Sequence, residues 1–169
     1  SEQDTSVEAF LRRLGGPTSF FIDGADTSRT RAFVTLLHGN EPSGVRALLR
    51  WLQSGQVPAV NVVCIVAAVE TAVTQPVFTH RMLPGTRDLN RCFKPPFEDG
   101  PGMLAQEILE ILHLHQPECV VDMHNTSGSG PAFGVCTFDD RQHDALVSLF
   151  TRRLIVSNLG LGALMDISE

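Results

Sequence analysis

A chain of 169 residues with 43% apolar and 19% charged side chains is long enough for one domain with a sizeable core and too apolar for a disordered segment. A net charge of −6 without any basic cluster argues against a nucleic-acid partner, which needs an electropositive face. No run reaches the roughly 20 apolar residues of a membrane span, and the polar opening, residues 1–6, has no signal-peptide core, so no membrane partner is expected.

Thr5 followed by Glu8 reads as a capping box, opening a short helix that stops at Gly15-Gly16-Pro17. Residues 18–22 are strand-like, and Asp23-Gly24 marks a turn. The apolar run 32–37 reads as a fully buried strand. After a loop over 38–44, Val45, Leu48, Leu49 and Leu52 recur at helical spacing, which predicts a helix over 43–53 between Pro42 and Gly55. Residues 60–69 are nearly all Val, Ile, Cys and Ala, as in a central strand covered on both faces. Strand, helix, strand in that order implies a parallel pair with a right-handed crossover.

Residues 71–99 hold Pro76, Pro84, Gly85, Pro95 and Pro96 and little periodicity; so long a loop inside a compact domain points to function. Leu104, Ile108, Ile111 and Leu112 mark a helix that ends before Pro117, and residues 119–123 form the next strand. A Gly-rich loop over 125–131 and a strand over 133–138 follow. Asp139-Asp140 can cap a helix whose apolar face is Ala145, Leu146, Leu149 and Phe150. Residues 154–169 are partly apolar without an end signal. The fold class expected is α/β: a three-layer α/β/α domain on a mostly parallel, mixed central sheet.

Cys64, Cys92, Cys119 and Cys136 show no C-x-x-C spacing, so they read as reduced thiols packed like small hydrophobes. That usage suggests a reducing, cytoplasmic compartment.

His38-Gly39-Asn40-Glu41 closes one buried strand and His124 closes another. The carboxyl ends of strands are where an open α/β sheet binds ligands. A His and a carboxylate three positions apart on a loop can face one ion. Zinc takes imidazole nitrogen and carboxylate oxygen, and its catalytic sites use three protein ligands. His38, Glu41 and His124 are therefore the candidate set, which requires their two strands to be close neighbours. The long loop adds Arg81, Arg87, Asn90 and Arg91. A guanidinium grips a carboxylate as a planar fork, so these arginines suit an anionic substrate; they can equally pair with Asp88, Glu98 or Asp99.

His38-Gly-Asn-Glu41, then Arg81 with Asp88-Leu89-Asn90-Arg91, then Asp122-Met123-His124-Asn125 together resemble the succinylglutamate desuccinylase/aspartoacylase family, part of the zinc carboxypeptidase-like group. The resemblance implies one zinc per chain on His38, Glu41 and His124. It implies that Asn90 and Arg91 hold the substrate carboxylate, with Arg91 stabilising the oxyanion as the catalytic residue. Arg81 would be a further substrate-facing arginine, with Arg87 as its alternative, and Asp122 could orient a ligand. The implied activity is hydrolysis of the amide of a small anionic N-acyl amino acid. A zinc carboxypeptidase acting on peptides, or a non-catalytic binding domain, is the alternative, and self-association into a homo-oligomer is left open. The family's general-base glutamate, in a Val-Glu-x-Gly-like strand, has no counterpart after His124; Glu70 stands too early in the order and Glu169 lacks the context. Residues 1–169 are thus expected to be part of a zinc-hydrolase catalytic domain, truncated before the base and the family's β-rich domain, and weakly active at most.

Overall fold

The computed structural model describes residues 2–167, and side chains from residue 6 onward. A four-stranded sheet runs through it in the order β1-β3-β2-β4, built from β1 (Thr18–Ile22), β2 (Asp26–Thr35), β3 (Val60–Val66) and β4 (Val120–Met123). β2 pairs in parallel with both β3 and β4, and β1 lies antiparallel at one edge. The sheet is therefore mostly parallel and mixed, as the element order led one to expect.

Helices cover both faces. The pleat sends Cys64 and Val66 of β3 to one side, where they meet Val7 and Leu11 of α1 (Glu2–Leu14) and Val45 and Leu48 of α2 (Ser43–Ser54). Val63 and Ile65 go to the other side with Ala32 and Val34 of β2, and meet Ala105, Ile108 and Leu112 of α4 (Gly100–His115). Each Val, Leu or Ile so removed from water stabilises the fold by roughly 1.5–3 kcal/mol. Three layers result, with β2 and β3 buried from both sides.

The element boundaries depart from expectation in physically readable ways. Helix α1 runs through Thr5 instead of starting there; the Thr5 side chain lies outside the described residues, and Glu8 pairs with Arg12 one turn on. Strand β2 begins at Asp26, well before the apolar run, because its polar first half is carried by pairing with β3 and not by burial. β3 stops at Val66 and the chain enters the short helix α3 (Val69–Val73), whose Val69 and Ala72 join the core from a helix. The apolar run continued for packing, not for strand pairing.

Helix α4 starts at Asp99, whose side chain accepts from Gly102 N, and stops at Gln116 in the left-handed region (φ 44°) just before Pro117. Beyond β4, a separate parallel pair joins β5 (Gly134–Cys136) to β6 (Leu154–Val156), the latter in the tail where no strand was predicted. Helix α5 (Arg141–Ser148) forms with Asp140 as its cap, accepting from Gln142 N and His143 N. Its expected apolar face is not buried: Leu149 is 73% exposed and Phe150 59%. All four cysteines are free thiols, and burial pushes Cys64 up to about 12. Among the described residues no helix is long and apolar enough to cross a membrane.

Candidate metal centre

The centre is built where β2 and β4 end side by side. Thr35 and Met123, the last residues of the two strands, are paired, so the segments that follow them emerge together. Leu36 turns the chain with φ at +63°, a costly conformation for leucine, held by a side chain with no exposed surface. Leu37 then dips into the core and His38 arrives buried at the sheet edge. Glu41 N donates to His38 O at 3.1 Å, folding the loop back so that both side chains face one point. Gly39 permits this approach: a Cβ there would lie 2.7 Å from the carbonyl oxygen of His80. Gly39 N also donates to Arg81 O at 3.1 Å, which draws the long loop onto the centre.

His38 Nδ1 lies 3.0 Å from Glu41 Oε1, and His124 Nδ1 lies 2.7 Å from Glu41 Oε2. The two rings stand 5.1 Å apart. One ligand atom from each of the three residues falls within 4.8 Å of the others. Both imidazoles thus turn the same nitrogen inward. Each turns its Nε2 outward to a carboxylate: His38 to Asp88 Oδ1 at 2.8 Å, His124 to Asp122 Oδ2 at 2.5 Å. Asp122 shares the face of His124 because the two are two positions apart in extended chain. Asn125 N donates to Glu41 Oε2 at 3.1 Å, and Asn125 is itself tied to Ser43.

The donor set, two imidazole nitrogens and a carboxylate with an outer carboxylate on each ring, fits a divalent transition metal and zinc in particular. Burial opposes ionisation of Glu41, but hydrogen bonds from His124 and His38 outweigh it and hold the carboxyl far below its usual range. Asp88 is likewise lowered against its burial by His38 and Arg81. Burial would depress His124, yet Asp122 and Glu41 push it up to about 10. Both imidazoles are thus joined through the two oxygens of one carboxylate.

Of the loop residues, Arg81 reaches the centre, with Nη1 donating to Glu41 Oε1 at 3.2 Å and Nε and Nη2 gripping Asp88 Oδ2 at 3.1 and 3.0 Å. Arg87 is turned away onto Asp99 and the Pro96 carbonyl. Asn90, in a 3-10 turn (Leu89–Arg91), brings its Nδ2 to 3.4 Å from His124 Nε2. Arg91 follows it, with an exposed side chain donating to the Asn90 carbonyl. Glu70 stands exposed on α3, and Glu169 lies outside the described residues. Sequence reasoning missed the ring-orienting part of Asp88, although the residue stood inside a quoted motif; it was weighed there only as an arginine partner. It also missed Asn125 as a backbone donor to Glu41, although that residue too stood inside a quoted motif.

The model of the succinylglutamate desuccinylase/aspartoacylase catalytic domain matches residues 29–167. Comparison with curated proteins gives no match. Among solved structures, a succinylglutamate desuccinylase/aspartoacylase from Rhodobacter sphaeroides shares the fold at 20% identity and TM-score 0.56, covering 76% of this chain and 39% of that one. A succinylglutamate desuccinylase from Vibrio parahaemolyticus does so at 18% identity and TM-score 0.52, covering 67% and 41%. A tripeptide-bound cell shape determinant protein, Csd4, from Helicobacter pylori aligns at 19% identity and TM-score 0.50, covering 72% and 32%. The chain spans about two fifths of the length of the two desuccinylase-type structures.

Proposed function

Because the chain belongs to the succinylglutamate desuccinylase/aspartoacylase family, we propose that it serves hydrolysis of the amide bond of a small anionic N-acyl amino acid, with zinc held by His38, Glu41 and His124. The observation that carries the reading is the convergence of His38 Nδ1 and His124 Nδ1, from two strands, on the two oxygens of one buried carboxylate. Bound zinc supplies an acidified water and a Lewis acid for the scissile carbonyl.

The chain's own residues do the rest. Asp88 and Asp122 hold the rings by Nε2, so that Nδ1 is the nitrogen presented inward. The Asn125 amide fixes one oxygen of Glu41. Arg81, 43% exposed, offers a cation at the mouth of the centre, where an anionic substrate meets it. Asn90 adds a neutral donor, and Arg91 a second guanidinium from the same turn, suited to a substrate carboxylate and to negative charge developing on the carbonyl oxygen. Arg87, committed to Asp99, serves to pin the loop against the start of α4.

A peptide with a free C-terminus would use the same cation and metal, and the tripeptide-bound relative shares the fold. Side-by-side assays of N-acetylaspartate, N-succinylglutamate and a tripeptide separate the two substrate classes. The direct test of the centre is elemental analysis of the purified chain. One zinc per chain is expected, lost in both His38→Ala and His124→Ala. Zinc retained by either variant would sink the assignment.

A further inference from the structure

The amide of Asn90 can face the centre in two ways, presenting either a donor or an acceptor, and the two differ by a rotation that costs an isolated side chain almost nothing. Here the choice is made by a segment far along the chain. Leu164 N donates to Asn90 Oδ1 at 2.9 Å. A backbone N–H can only donate, so the atom facing it must be the oxygen, and the NH2 must point the other way, toward the outer edge of His124, where Nδ2 lies 3.4 Å from Nε2. The segment that supplies this N–H is itself tied down. Gly162 O accepts from Phe93 N at 3.0 Å, and Lys94 Nζ donates to Gly160 O at 3.1 Å. Asp166 Oδ2 accepts from Gly162 N and Ala163 N, closing a 3-10 turn (Leu164–Asp166). Leu164 is 2% exposed and packs in the α4-side core with Leu89 and Phe93, which flank Asn90.

We infer that residues 160–166 are a positioning element for the substrate turn, and that the Leu164 N–H locks the Asn90 side chain with its oxygen held and its donor on the His124 side, selecting a ligand that presents a carboxylate or carbonyl oxygen to that donor. The inference rests on the proposed reading of Asn90 as a substrate contact. Leu164 is the positioning residue, acting through Asn90 and not on the ligand itself.

The backbone permits a clean test. Leu164 opens its 3-10 turn and Ala163 before it is extended (φ −75°, ψ 160°), the conformation that a residue preceding proline adopts. Leu164→Pro therefore removes the N–H, while Leu164→Ala removes the same buried side chain and keeps the N–H. Binding of N-succinylglutamate to the zinc-loaded protein is measured by calorimetry for both, beside Asn90→Asp, which keeps an oxygen for Leu164 but replaces the His124-facing donor with an acceptor. Leu164→Pro is expected to bind roughly tenfold more weakly than Leu164→Ala, at equal zinc content, the worth of one hydrogen bond. Asn90→Asp is expected to weaken binding more than either. Equal affinity of Leu164→Pro and Leu164→Ala, with Asn90→Asp still impaired, overturns the lock alone. Wild-type affinity in Asn90→Asp overturns the substrate contact, and the lock with it. Should Leu164→Pro not fold, the wild-type protein decides by nuclear magnetic resonance. A scalar coupling across the hydrogen bond from the Leu164 nitrogen to the Asn90 side-chain carbonyl carbon is expected, and its absence overturns the lock.

Discussion

On the proposed zinc reading, protons and metal compete for the same nitrogen at His124. The imidazolium is held by Asp122 and Glu41, which lift its pKa from 6.5 to about 10 despite burial. In the metal-free chain that raised value contributes stability fully below the unfolded value of 6.5, and the contribution fades as pH rises through about 10. Zinc needs the neutral ring, so its affinity moves the opposite way, rising with pH as the proton leaves. Melting curves between these limits should therefore diverge, with the metal-free chain losing Tm with increasing pH and the zinc-loaded chain gaining on it. Asp122→Asn should flatten the metal-free slope; an unchanged slope would show that Asp122 does not hold the proton. His38, Glu41 and His124 were legible in the sequence because each followed a strand-like run. Of the outward partners, Asp122 was legible from its two-residue spacing to His124, whereas Asp88 gains its meaning from a loop fold that no spacing encodes.

Close approach between α2 and the sheet is set by a missing methyl. At Gly44, a Cβ would lie 2.1 Å from Thr35 Oγ1 and 2.8 Å from Met123 Cβ, the last residues of the two strands that deliver the ligands. Gly44→Ala should cost about 1–3 kcal/mol by overpacking. It should also lower zinc affinity, because it wedges β2 and β4 away from the helix start. Phe150→Ser is the contrasting change. Phe150 is 59% exposed, so a shift within about 0.5 kcal/mol is expected. Denaturant titration of both variants checks the pair. Helix α2 was readable from its apolar spacing and its Pro42 and Gly55 ends. The face assigned to α5 was misjudged because periodicity reports which side of a helix is apolar, not whether anything covers it. β2 was found only in part, since its polar half is held by pairing with β3 at Asp26, Thr30 and Arg31, across an irregularity between the first two.

At the scale of the molecule, burial is uneven. β2 and β3 lie between two helical layers, whereas β5 and β6 are three residues each and carry exposed Val135, Ile155 and Val156. Hydrogen exchange should accordingly be fastest in the β5–β6 pair and slowest in β2 and β3. Equal protection across both sheets would contradict this layering. The three-layer architecture was legible because buried parallel strands are written as unbroken apolar runs. Of the small second sheet β5 was anticipated within 133–138, whereas β6 was not, because a three-residue strand in a partly apolar tail leaves no period to read.

The centre also has a consequence for the chain as a polymer. Glu41 and His124 stand 83 positions apart and meet only through the pairing of β2 with β4. An ion held by both is a removable clasp that closes a long loop. The entropy of loop closure grows with length, though only logarithmically, so a clasp across this span constrains the unfolded ensemble more than one between near neighbours. On the zinc reading proposed above, metal availability would set how much of chain space the protein can explore, and not only whether its chemistry can run.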